Sequence, residues 1–225
     1  MQISIIGAGR IGSTLALQLG QAGHSVSIAN SRGPASLGDV ERDTGAKAMS
    51  LQEVGRGASA VILALPFPAV ASLPKEVLGD AARDLVIIDA SNYVPGLRDQ
   101  AIQSIEDGQI ESSWIAEQLG RPVVKAFNTI TAASLKSHLA SRPEPNRIVL
   151  PVAGEAEGKN LVRALAADLQ FDFLDAGGIQ DSWRQQPGTP IYCTDLNAME
   201  AGAALALADP LQTIRWRDEK RGGER

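Results

Sequence analysis

The stretch Gln2–Gly12, "QISIIGAGRIG", decides how the rest of the chain is read. A short apolar run, Ile3 to Ile6, leads into Gly7-Ala8-Gly9-Arg10-Ile11-Gly12. Ile11, Leu15 and Leu19 then recur at helical spacing. Strand, GxGxxG and helix in that order form a turn suited to the pyrophosphate of a dinucleotide. Gly7 permits the tight turn, Gly9 lets the backbone approach the phosphates, and Gly12 lets the helix pack closely on the sheet. The helix N-terminus adds unpaired N–H groups and a partial positive charge.

The next segment outward, "SVSIANSRGP" from Ser25 to Pro34, follows a helix end capped by Gly23 and carries a second strand, Val26 to Ala29. About 20 residues after such a fingerprint, an NAD site places an acid on the ribose hydroxyls. Here the strand runs into Asn30-Ser31-Arg32. A carboxylate would repel a 2′-phosphate. Asn30 removes that charge, Ser31 offers a hydroxyl, and Arg32 offers a guanidinium fork matched to phosphate. Pro34-Ala35-Ser36 opens a helix running toward Thr44, with N–H groups expected to face the same phosphate. The pattern predicts an NADP(H) site.

Apolar runs and helical segments alternate over most of the chain. Strands are expected near Ala46–Met49, at Ala60–Leu65, Leu85–Asp89, Val123–Phe127, Ile148–Val152 and Phe171–Asp175. Helices are expected at Leu51–Arg56 and Glu155–Leu169. Near-continuous Val, Ile and Leu runs suit strands covered on both faces. The βαβα order predicts an α/β fold with a doubly wound, mostly parallel Rossmann sheet and a short C-terminal helical segment. The expected division is residues 1–180 as the NADP-binding domain, with 181–225 completing an acceptor pocket or a dimer interface. An alanine-rich helix is expected from about Thr194 to Leu207, and the polar end "RWRDEKRGGER" reads as a frayed terminus.

Bulk composition agrees with one sizeable domain. The chain has 225 residues, 44% of them hydrophobic and 21% charged. A net charge of -5 argues against nucleic acid as a partner. One cysteine, Cys193, excludes an internal disulfide and an all-cysteine metal site. No apolar run reaches the length of a membrane span or resembles a secretion signal, so the expected location is the cytoplasm. No metal ligands are predicted.

Ligands of open α/β sheets bind beyond the carboxyl ends of the strands. Two loops should therefore complete the pocket: Ala64-Leu65-Pro66-Phe67 and Ala90-Ser91-Asn92. Phe67 is expected either to flank a ring or to fill the core. Together the fingerprint, "NSR", "LALP", "VVKAFNTI" from Val123, "PVAGE" from Pro151 and "LDAGGIQDS" from Leu174 resemble the NADP-dependent reductases of the deazaflavin coenzyme F420, with the NADPH-oxidising domain of the STEAP metalloreductases as a relative. The resemblance implies that Ala8, Gly9, Arg10 and Ile11 wrap the pyrophosphate. It implies that Ser31 and Arg32 hold the 2′-phosphate and that Leu65 and Pro66 lie along the ribose. Asn128 and Thr129 would sit beside the nicotinamide, and the turn Asp175–Gly177 would border the acceptor pocket. The acceptor implied is F420 or a flavin, FMN or FAD. Two departures stand out: Gly178 replaces the family's proline, and "RQQPGTPIYCTDL" has no counterpart in the pattern.

Hydride transfer between stacked rings needs positioning more than acid–base groups. The sequence offers no evident general acid or base, and no catalytic side chain is assigned. His24 and His138 read as structural or solvated, and Cys193 as an inert apolar residue. Lys125 lies within an apolar strand, where it must snorkel, pair or meet a ligand. The alternatives are a reductase of a small carbonyl or imine, with Lys125 as its proton donor, and a non-catalytic NADPH sensor. Leu196 to Ala208, apolar around most of a helix, is expected in the core or against a second copy in a homodimer.

Overall fold

The computed structural model describes residues 1–78, 82–137 and 146–222. Strand β1 (Gln2–Ile6) runs through the glycine turn into helix α1 (Arg10–Gln21), followed by β2 (Ser25–Ala29), α2 (Gly38–Thr44) and β3 (Lys47–Ala48). The end of α1 is a Schellman motif: His24 N–H donates to the Leu19 carbonyl and Gly23 N–H to Gly20, with Gly23 at φ +90°. Next come β4 (Ala60–Leu63), β5 (Val86–Asp89), α3 (Gln103–Glu106), α4 (Glu111–Leu119) and β6 (Val124–Lys125). These six strands form one parallel sheet in the order β3-β2-β1-β4-β5-β6. That is the doubly wound Rossmann order, with its crossing point between β1 and β4.

Both faces of the sheet are covered, as the apolar runs require. Alternate residues of one strand enter opposite cores. Ala60 and Ile62 join Ile3, Ile5, Leu15 and Leu19 on one side, while Val61 and Leu63 join Phe67, Ile87 and Trp114 on the other.

The remainder departs from a single sheet. After α5 (Ala132–Ser137), β7 (Val149–Val152), α6 (Ala156–Asp168) and β8 (Asp172–Asp175) make a separate two-stranded parallel sheet. Among the described residues it joins the main sheet at an antiparallel bridge between Lys125 and Ala153. Helices α7 (Ala198–Ala206) and α8 (Pro210–Gly222) complete the described chain. None of the described helices is long and apolar enough to cross a membrane.

Several boundaries move for local reasons. Leu51–Arg56 is a series of turns rather than a helix, because Glu53 folds back on Ser50, whose hydroxyl donates to Glu53 Oε2 at 2.6 Å. The strand expected to reach Phe127 stops at Lys125, since Phe127 adopts φ +62° and cannot continue a pleat. Helix α7 starts at Ala198, later than expected, because Asn197 caps it and Glu200 closes the capping box. The largest correction concerns the polar end. As far as Gly222 it belongs to the 13-residue helix α8 rather than to a frayed terminus, attached by Arg217 and Arg221 to acids near residue 110, and residues 223–225 lie outside the described residues.

Candidate functional site

A cleft of about 490 Å³ opens at the carboxyl ends of β1, β2 and β4. Its wall combines Gly7, Ala8 and Gly9 with Asn30, Ser31 and Arg32 and with Leu65 and Pro66. The three glycines have distinct surroundings. A Cβ on Gly7, at φ +113°, would sit 2.2 Å from the Ala64 carbonyl oxygen, and one on Gly12 would sit 1.9 Å from that of Gly7. These two are glycine because protein backbone presses on them. A Cβ on Gly9 would meet nothing within 4 Å, so the space beside Gly9 is open to a ligand. Helix α1 starts there with no side-chain cap and no acid in its first turn. The N–H groups of that first turn, which includes Arg10 and Ile11, sit at the positive end of a 12-residue helix.

The corner after β2 is ordered from within. The Arg32 N–H donates to Asn30 Oδ1 at 2.9 Å, closing an Asx turn, and Asn30 Nδ2 lies 2.9 Å from the Ser36 hydroxyl. Asn30 and Ser36 thus shape the turn that presents Ser31 and Arg32 to the cleft. The Arg32 side chain makes no ion pair or hydrogen bond among the described residues. One expectation fails here: Pro34–Leu37 is a 3-10 turn, Pro34 has no N–H, and the Ser36 N–H is bonded to the Gly33 carbonyl. That turn offers little to a phosphate.

Asn92, Asn128 and Thr129 lie away from this cleft, at the carboxyl ends of β5 and β6. Asn128 and Thr129 are buried. The two asparagines face each other, Asn128 Nδ2 donating to Asn92 Oδ1 at 3.0 Å and Asn92 Nδ2 to the Asn128 carbonyl at 2.9 Å. Asn128 Nδ2 also reaches the Gln185 carbonyl at 2.7 Å, and the Thr194 N–H reaches the Thr129 carbonyl, so the unmatched segment after Arg184 packs over both residues.

Behind them lies a set of buried charges. Lys125 Nζ donates to Asp89 Oδ2 at 3.0 Å and to the Ser91 carbonyl at 2.5 Å, with lysine and aspartate both wholly inaccessible. Ser91 and Ser112 hydroxyls donate to the same carboxylate. Glu111, also wholly buried, accepts from Arg217 Nη2 at 2.9 Å and from the Tyr93 N–H at 3.2 Å. Burial raises the Glu111 carboxyl above its ordinary range, opposed first by Lys125 and then by Arg217. The Tyr93 hydroxyl is pushed up to about 12 by burial and by its bond to Glu106.

Of the remaining candidates, Lys125 pairs inside the protein, and Phe67 is core, stacked on Trp114 at 5.0 Å. His24 pairs with Asp168 at 3.1 Å, and His138 lies outside the described residues. Cys193, expected as an inert apolar residue, is exposed at φ +55°, and desolvation raises its thiol. The turn Asp175–Gly177 follows β8; β7 runs against β6, Gly154 N–H bonds the Gly177 carbonyl, and Gly154 packs on Val124.

Sequence reasoning missed Asp89, Glu111 and Arg217. A signal existed for Asp89: "LVIID" and "VVK" are buried strands ending in opposite charges, and β5 and β6 pair these residues directly. Glu111 and Arg217 stand 106 residues apart with no local signal.

Comparison with known proteins agrees with this architecture. Residues 2–93 match the model of the family described as NADP oxidoreductase, coenzyme F420-dependent. A solved structure of a hypothetical protein from Sinorhizobium meliloti is 31% identical, with a TM-score of 0.74 over 88% of this chain and 95% of that one. A candidate F420-dependent NADP reductase from Arthrobacter sp. FB24 is 20% identical, with a TM-score of 0.66 over 81% and 87% of the two chains, a likeness of fold. The Escherichia coli K12 protein YjhV is 40% identical over 63 residues, which is 28% of this chain and 46% of that protein; the match spans less than half of this curated relative.

Proposed function

The chain belongs to the F420-dependent NADP oxidoreductase family and is an NAD(P)-dependent oxidoreductase; from that premise we propose that it passes hydride between NADP(H) and a flat-ringed acceptor, coenzyme F420 or a flavin. The observation that carries the reading is the cleft corner where Arg32 stands unpaired among the described residues beside Ser31, with no acid at the end of β2. In this reading Gly7, Ala8, Gly9, Arg10 and Ile11 hold the pyrophosphate against the start of α1. Ser31 and Arg32 hold the 2′-phosphate, Asn30 and Ser36 order that loop, and Leu65 and Pro66 flank the ribose. Gly12 acts by packing.

NADP(H) supplies the hydride when bound. This chain's part is to orient the nicotinamide and keep water out, with Asn92, Asn128 and Thr129 at the ring end. A carbonyl or imine substrate would need a proton donor. Lys125, the one candidate sequence suggested, has its ammonium engaged by Asp89 and Ser91 in a wholly buried position. That favours an acceptor needing no protein proton.

The deciding experiment is calorimetric titration with NADPH and NADH, followed by anaerobic mixing of NADPH with F420, FMN or FAD. NADPH preference with bleaching of one acceptor supports the proposal. Preference without bleaching removes the flavin-type acceptor, and equal binding of both nucleotides removes the role of Arg32. We further propose a homodimer through the outward face of α7, where Met199 and, just beyond the helix, Leu207 are exposed. A monomer by light scattering would exclude it.

A further inference from the structure

The loop leaving β5 is held along four consecutive residues. Lys125 donates to the Ser91 carbonyl, and Arg98 donates to that of Asn92. Glu111 accepts the Tyr93 N–H, and Asp99 accepts the Val94 N–H at 2.7 Å. Asn92 then closes on Asn128. A loop fixed this way has one geometry, and disturbing any holder moves Asn92.

Helix α8 reaches this loop through Tyr93 from three directions. Arg217 Nη2 binds Glu111, which holds the Tyr93 backbone. The Arg217 guanidinium lies 5.1 Å over the Tyr93 ring centroid, while Nη1 donates to the Ile105 carbonyl at 3.4 Å. Arg221 pairs with Glu106, whose Oε1 accepts the Tyr93 hydroxyl at 2.6 Å. The only buried residues of α8 are Thr213 and Arg217. Apart from Trp216, which lies edge-on to the Tyr192 ring at 6.0 Å and packs on Gly188, the helix is attached by directional, charge-assisted bonds. Such attachment fixes orientation, which a greasy contact does not.

We infer that Arg217 is a positioning residue for the ring end of the dinucleotide, acting through Glu111 and Tyr93 on the Asn92–Asn128 pair. The inference rests on the reading of the cleft as an NADP(H) site. It makes α8 part of the working site although no atom of that helix lines the cleft.

The test compares NADP⁺ with 2′,5′-ADP, which carries the 2′-phosphate but no nicotinamide, on wild-type, Arg217→Met and Arg217→Lys proteins by calorimetry. Arg217→Met is expected to weaken NADP⁺ about tenfold and 2′,5′-ADP less than about twofold, because only the ring end loses its fixed geometry. Arg217→Lys keeps the charge but not the fork, and falls between. Should Arg217→Met not fold, Arg217→Lys carries the same ratio. Equal losses for both ligands, or none for either, overturn the inference. Wild-type protein that binds neither ligand overturns the nucleotide reading and the inference together.

Discussion

The carboxyl edge of the sheet has two ends built on opposite terms. At β1, β2 and β4 the edge is open, glycine-lined and cationic, and Arg32 has no partner among the described residues. At β5 and β6 it is closed, and two ion pairs are buried, Lys125 with Asp89 and Arg217 with Glu111. An unpaired guanidinium is available to an outside anion. A desolvated pair can act on a ligand only by holding backbone in place. In the proposed reading the first end recognises by charge and the second by geometry.

Removing one ion from the closed end is the harshest way to test that contrast. Lys125→Met leaves the Asp89 carboxylate without its cation and is expected to cost about 3–5 kcal/mol in denaturant unfolding. Adding Asp89→Asn should recover much of the loss. A single-variant cost below about 1 kcal/mol would mean that water reaches the pair.

Glycines separate the ends more finely. Gly12→Ala drives a Cβ into the Gly7 carbonyl and should cost about 1–3 kcal/mol of stability. Gly9→Ala meets open space and should leave the melting temperature unchanged while weakening NADPH. If Gly9→Ala lowers stability as much as Gly12→Ala, the Gly9 surface is packing and not a phosphate cradle.

At the open end, Arg32→Ala should weaken NADPH by about 1.5–3 kcal/mol and leave NADH nearly unchanged. Equal losses would remove the 2′-phosphate assignment.

The smallest effect belongs to neither end. Lys159 hydrogen-bonds Asp175 at 2.8 Å and holds that carboxyl below its ordinary range. A depressed carboxyl contributes stability above its unfolded value, and that contribution fades as the pH falls through the folded one. The carboxylate is half exposed, so Lys159→Ala should cost under about 1 kcal/mol at neutral pH and nothing in strong acid. A cost that persists in acid would point to packing instead.

This contrast also explains what the sequence could tell. The open end was legible because its determinants are contiguous: Gly7 to Gly12, and Asn30 to Arg32 at a set distance. The sheet was legible because strands buried on both faces have unbroken apolar sequence. The closed end was not. Glu111 opens an ordinary amphipathic helix, and Arg217 sits in a polar stretch with no apolar period. Only tertiary structure brings them within 2.9 Å. Nor could a pattern of apolar runs reveal that β7 joins β6 antiparallel, since one bridge decides it.

The separation of Glu111 from Arg217 has a consequence for synthesis. A ribosome adding about 5–20 residues per second needs roughly 5–20 s to travel the 106 residues between them. Through that interval the nascent chain has its glycine turn and first five strands but not the cation that Glu111 requires. The nucleotide half can therefore mature while the other half waits, with an acid that favours water over the interior. Chaperone demand should concentrate in that window and end when α8 emerges.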